Sequence, residues 1–160
     1  GVMLTIHETQ NNEIETIMDL LQRTGVFTED EAIVARELLE EAVHDAGETS
    51  YKSLTAVDDG RPVGYILFGE TPVTIGAYDL YWMAVDPDVQ GKGIGHKLVI
   101  EAERRIKEAG GRLIRVETSG APEYVATRNF YDRIGYPEVS RVPDFYWPGN
   151  ALHTYIKVID

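Results

Sequence analysis

Residues 80–99 read as a strand, a glycine-rich turn and a helix in immediate succession. The run Leu80-Tyr81-Trp82-Met83-Ala84-Val85 is nearly unbroken in its apolar character, the pattern of a strand covered on both faces. Asp86-Pro87 ends it, and Gln90-Gly91-Lys92-Gly93-Ile94-Gly95 follows. From there Ile94, Leu98, Ala102 and Ile106 recur on one side of a helix that stops at Gly110-Gly111. Glycines let another molecule approach the backbone closely. The helix start offers unpaired N–H groups and a partial positive charge, a combination that binds phosphate oxygens without a charged side chain. The plainer alternative is a turn that only joins strand to helix.

Spacing separates the known kinds of glycine-rich loop. A nucleotide-triphosphate loop needs Gly-Lys-Ser/Thr, whereas Lys92 is followed by Gly93. A dinucleotide loop needs a third glycine where His96 stands. The pattern Gln90-x-x-Gly93-x-Gly95 instead resembles the Q/R-x-x-G-x-G/A signature of the GNAT family of N-acetyltransferases, which cradles the pyrophosphate of acetyl-CoA. The preceding Trp82-Met83-Ala84-Val85-Asp86-Pro87 resembles that family's fourth strand. Downstream, Ala126, Tyr131, Gly135 and Tyr136 fit its A-x-x-x-x-Y-x-x-x-G-F/Y pattern, in the family's order. The resemblance extends along nearly the whole chain and implies a single N-acetyltransferase domain over residues 1–160.

The remaining pattern agrees with that domain. Residues 2–7 read as a first strand, Ile14, Ile17, Met18 and Leu21 as the apolar side of a first helix, and Thr28-Glu29-Asp30-Glu31 as a capping box. Ala35, Leu38, Leu39, Ala42 and Val43 mark a second helix, which Gly47 is expected to end. Strands over 51–57 and 62–68 flank Asp58-Asp59-Gly60, a hairpin signal. Further strands are expected over 76–85, 112–118, 136–140 and 152–159, and helices at 94–109 and 124–134. The aromatic stretch 144–149 is read as a loop, either lining an acceptor site or forming a contact between copies. The resulting order, βααβββαβαββ, is an α/β fold: a mixed sheet with helices on both faces, a three-layer α/β/α sandwich.

Composition narrows the chemistry. The chain has no cysteine, which excludes disulfides, thiolate metal sites and an acyl-cysteine intermediate. His7, His44, His96 and His153 are scattered, and no metal site is expected. No apolar run approaches the length of a membrane span, and no basic-then-apolar leader is legible, so a cytoplasmic protein is expected. The net charge is −12, unevenly spread. Residues 1–50 hold twelve acids against two bases, Arg23 and Arg36, while residues 91–115 hold seven bases against three acids. A basic helix beside the loop suits a ligand with several phosphates. The acidic remainder suits a cationic amine and disfavours nucleic acid, unless it is only a solvated surface.

Acetyl transfer to an amine requires loss of an ammonium proton, donors for the developing oxyanion and a proton for the departing thiolate. The resemblance implies that backbone N–H groups near Met83, Ala84 and Val85 supply the donors. It implies that Gln90, Gly91, Lys92, Gly93, Ile94 and Gly95 hold the pyrophosphate, with His96 and Lys97 at the edge. It gives Tyr131 the place of a general acid near the coenzyme sulfur, against the alternative of an aromatic packing residue. The family's frequent asparagine for pantetheine falls on Tyr124 here, so Thr127 or Asn129 is the substitute. Asp79 matches a strand-four glutamate of some members; alternation puts it on the face of Tyr81, Met83 and Val85 unless a bulge shifts the phase. Glu117 on the next strand is the rival base, with a salt bridge to Arg115, Arg128 or Arg133 as its ordinary alternative, and a base acting through water is a third course. The expected acceptor is a primary amine of a small molecule. A protein lysine or N-terminal amine is the runner-up, and a non-catalytic acyl-CoA sensor the reading from another class. Pairing into a homodimer through the C-terminal strands is a further implication of the resemblance.

Overall fold

The computed structural model describes residues 3–89 and 91–159. Along the chain run β1 (Leu4–Glu8), α1 (Ile14–Arg23), α2 (Glu29–His44), β2 (Tyr51–Asp58), β3 (Arg61–Glu70), β4 (Ala77–Val85), α3 (Ile94–Glu108), β5 (Leu113–Ser119), α4 (Val125–Arg133), β6 (Glu138–Trp147) and β7 (Asn150–Val158). Local chemistry explains the boundaries. Thr28 Oγ1 accepts from the Glu31 N–H while Glu31 Oε1 accepts from the Thr28 N–H, at 3.1 and 3.0 Å, and this reciprocal cap starts α2. Asp59 and Gly60 have φ of 54° and 79°, the left-handed geometry of a two-residue hairpin, with Asp58 paired to Arg61 across it.

The strands form one seven-stranded sheet in the order β1-β2-β3-β4-β5-β7-β6. All neighbours are antiparallel except β4 and β5, which are parallel and connected through α3. The continuous apolar run of β3 divides between two layers. Tyr65 and Leu67 pack with Ile17, Leu20, Leu21 and Leu39 of α1 and α2 on one face. Ile66 and Phe68 pack with Leu98 and Ile106 of α3 and Tyr131 of α4 on the other. Each such fully buried aliphatic side chain contributes about 1.5–3 kcal/mol relative to exposure. The three-layer arrangement and the element order match the sequence reading.

Three local expectations are corrected. The first strand begins at Leu4; Val2 lies outside the described residues. Residues 144–147 are strand rather than loop, because β6 runs on to a tight turn at Pro148-Gly149 where Trp147 pairs with Asn150. As the outer edge strand, β6 is exposed along most of its length and tolerates Pro143 and the positive φ of Asp144, so it lacks the alternation that marks a half-buried strand. Finally, the β3–β4 register shifts between Leu67 and Phe68, with Trp82 opposite the first and Leu80 opposite the second. Tyr81 is the extra residue of this bulge, and the phase of β4 changes there. Asp79 therefore shares the α1/α2 face with Tyr81, Trp82 and Ala84, whereas Met83 and Val85 pack on the α3/α4 face.

Candidate active site

The parallel pairing of β4 with β5 is short. It joins Ala77–Leu80 to residues 113–116 and then ends, although β4 continues to Val85 and β5 to Ser119. Beyond Leu80 and Val116 the two strands part. The edge of β4 facing β5 is left without a strand partner over residues 81–85, which includes Met83, Ala84 and Val85, where the sequence reading expected the carbonyl donors. A cleft of about 620 Å³ occupies the opening. Its walls come from Leu80–Val85 of β4, Val116–Ser119 of β5, Ala126, Thr127, Phe130 and Tyr131 of α4, the α1–α2 connection from Thr24 to Glu31, and Tyr146, Trp147 and Asn150 of the β6–β7 hairpin. Both helical layers contribute, so the cleft passes through the sheet.

The glycine loop lies at the α3/α4 end. Gly91 and Gly93 have φ of 89° and 73°, which an L side chain adopts only with strain. Gly93 caps α3, and the first intrahelical bond runs from the Lys97 N–H to the Gly93 carbonyl at 3.0 Å. The N–H groups of Ile94, Gly95 and His96 precede that bond and have no place in the helical ladder. A side chain on Gly95 would touch Met83 and Phe130 at 3.5–3.6 Å, which places the first turn of α3 beside the cleft wall. Ile94 points its side chain into the core, and only its backbone faces the loop. Lys92, His96 and Lys97 are exposed, and among the described residues the two lysines form no ion pair. Gln90 lies outside the described residues.

Buried Asp86 fixes where the loop departs. Arg23 at the end of α1 donates to both its carboxylate oxygens, at 2.9 and 3.0 Å, and the Asp88 N–H donates to it at 2.9 Å. The Arg23 hydrogen bonds come first in lowering the Asp86 carboxyl to about 2. The sequence held one signal of this clamp, since Arg23 is one of only two bases in the acidic first fifty residues.

The candidate acid and bases separate clearly. Tyr131 lines the cleft from the α3/α4 layer, packed against Phe130, Tyr136 and Tyr155, and burial raises its phenol well above the ordinary range. Glu117 lines the cleft, and its side chain is 41% exposed. Asp79 is not among the residues lining the cleft. It is 5% exposed, receives Arg115 at 2.7 and 3.2 Å and Thr71 Oγ1 at 2.6 Å, and so has both oxygens engaged away from the cleft. Arg115 also stands 3.7 Å from Glu117, and its own shift upward is owed first to the Asp79 hydrogen bond. Thr127 lines the cleft, whereas Asn129 is exposed and does not. Tyr124 turns its hydroxyl to Glu31 Oε2 at 2.9 Å, bridging the α4 side of the cleft to the first turn of α2. Sequence reading saw Glu31 only as a cap and passed over Thr118 and Asn150, because these residues meet only once the sheet has opened.

A profile of the Acetyltransferase (GNAT) family matches residues 14–136. A blasticidin-S acetyltransferase from Streptomyces morookaense is 31% identical over 151 residues, covering 94% of this chain and 93% of that protein. The crystal structure of a GNAT-family protein from Desulfovibrio desulfuricans superposes with a TM-score of 0.94 at 33% identity, over 99% of this chain and 100% of that one. An aminoglycoside 6′-N-acetyltransferase crystallised with coenzyme A has the same fold, with a TM-score of 0.78, 21% identity and 98% and 97% coverage.

Proposed function

This chain belongs to the acetyltransferase (GNAT) family, and from that premise we propose that it moves an acetyl group from acetyl-CoA directly to a primary amine of a small cationic molecule. The carrying observation is the parting of β4 from β5, with Tyr131 on one side of the opening and Glu117 on the other. Pyrophosphate fits the loop of Gly91 and Gly93 and the free N–H groups of α3, with Lys92 and Lys97 adding charge at the rim. Pantetheine would follow the unpaired edge of β4, where backbone N–H groups over Met83, Ala84 and Val85 meet the thioester oxygen as charge develops on it.

The proton balance follows. An acceptor ammonium must first lose a proton, and Glu117, reached directly or through one water, takes it. The free amine forms the C–N bond, the C–S bond breaks, and the second amine proton leaves the intermediate. Tyr131, kept protonated by its burial, supplies the thiolate's proton and is restored from solvent. Net products are the amide, free coenzyme A and one proton. Away from the coenzyme walls the cleft is lined by Phe27, Trp82, Tyr124, Tyr146 and Trp147, aromatic surface that suits a small molecule, and Glu31, Glu117 and Glu123 give it the sign that attracts a cation.

The test follows free thiol and product mass with acetyl-CoA and a panel of amines. Thiol release should depend on the amine, and Tyr131→Phe should lower kcat on the order of tenfold to a hundredfold. Tight acetyl-CoA binding with no amine-dependent release would overturn the reading.

A further inference from the structure

The acceptor half of the cleft carries more recognition chemistry than a lone amine needs. Glu117 sits on β5, while Glu31 stands across the cleft at the start of α2, held there by the Tyr124 hydroxyl. Tyr146 feels both; burial first, then the charges of Glu117 and Glu31, raise its phenol. Glu31 has already spent one oxygen on its cap and the other on Tyr124, yet a carboxylate offers about four lone-pair positions and can take a cation besides.

A second and independent feature points to a ligand in the same space. Asn150 lines the cleft and is only 2% exposed, yet its Nδ2 has no hydrogen-bond partner among the described residues. The direction of the Asn150 amide is fixed, because its Oδ1 accepts from the Gly120 N–H at 3.0 Å and from Ser119 Oγ at 2.8 Å. Its NH₂ is therefore the unpaired end of a side chain on the cleft wall. An unpaired buried polar group is costly, and an occupant with hydrogen-bonding groups between its ends would relieve that cost.

We infer that the cleft is a two-point site: the reacting amine lies at Glu117, and Glu31, oriented by Tyr124, reads a second cationic group, ammonium or guanidinium, on the same acceptor. Glu31 is then a specificity-determining residue, not a catalytic one. This rests on the amine-acceptor reading above, and its test uses binding as well as turnover so that the two can fail separately.

Agmatine, an amine with a distal guanidinium, and butylamine, which has the same four-carbon chain without it, are titrated calorimetrically into the protein saturated with coenzyme A. Both are also assayed for acetylation. Agmatine should bind at least about tenfold more tightly than butylamine. Glu31→Gln should collapse that ratio to near one while leaving coenzyme A affinity and Tm little changed. Glutamine at this position still serves the capping box, so the helix start survives and only the charge is lost. Tyr124→Phe, which frees Glu31 without removing its charge, should reduce the ratio partway. An agmatine preference unchanged in Glu31→Gln, or no preference in the wild type, overturns the two-point site whatever the turnover. Preferential binding of agmatine that depends on Glu31 but leads to no acetylation upholds the subsite and overturns amine transfer instead.

Discussion

Arg115 stands between two carboxylates that use it differently. Asp79 grips it with both oxygens and is itself held by Thr71, whereas Glu117 only approaches it and keeps its side chain in the cleft. Asp79→Asn should therefore act on stability, costing about 2 kcal/mol in urea unfolding by weakening a buried charge-assisted contact. Glu117→Gln should leave the urea midpoint near wild type and lower kcat/KM at neutral pH on the order of a hundredfold. That deficit should shrink as pH rises toward the acceptor's own pKa of ~10.4, where the amine needs no base. Equal losses of stability in both variants would remove the distinction. The motif around Tyr131 made that residue legible, since a fixed spacing on one helix carries its position. Nothing in the chain's spacing could choose between Asp79 and Glu117, because the bulge at Tyr81 and the partner of Arg115 exist only after β4 has met β3 and β5.

At the scale of elements, the turn before α3 rests on glycines in the left-handed region. Gly93 at φ 73° and Gly135 at φ 90° both demand a left-handed backbone, and a Cβ on either meets nothing within 4 Å. Alanine at either place should thus cost a similar 1–2 kcal/mol, roughly, from backbone strain alone. Only Gly93→Ala should also weaken acetyl-CoA binding, by about tenfold or more, because its side chain would stand where the pyrophosphate approaches. Matched melting curves with calorimetric affinities check this, and an equal loss of affinity in Gly135→Ala would undo the assignment. Helices and central strands were legible here because burial imposes a period: the stripe of α3 and the two-faced run of β4 are both written in apolar residues. The far end of β6 was not. An edge strand exposed along most of its length has no period to show, and Pro143 followed by Asp144 at positive φ imitates a loop.

For the molecule as a whole, the opened sheet divides the work between its two layers. On the function proposed above, loop, α3 and α4 would hold the coenzyme and the α1–α2 connection with the β6–β7 hairpin the acceptor, which requires α1 to be held in register with the loop across the sheet. The long-range pair Arg23–Asp86 does this, tying the last turn of α1 to the residue at which β4 becomes the loop. Its pH dependence gives a sign that can be checked. The Asp86 carboxyl is lowered from 3.8 to about 2 in the folded protein, chiefly by Arg23. A depressed carboxyl stabilises the fold above its unfolded pKa, and the contribution disappears as pH falls through the folded value. Wild type should therefore exceed Arg23→Ala in stability by a constant margin above about pH 5, and the margin should narrow as pH falls toward 2. Urea midpoints measured at intervals between those limits give the margin directly. At neutral pH the same variant should bind acetyl-CoA more weakly, since the loop loses the anchor that sets its departure from β4. A stability margin that stays constant down to pH 2 would mean that the Arg23 contact, and not the ionisation of Asp86, supplies the difference.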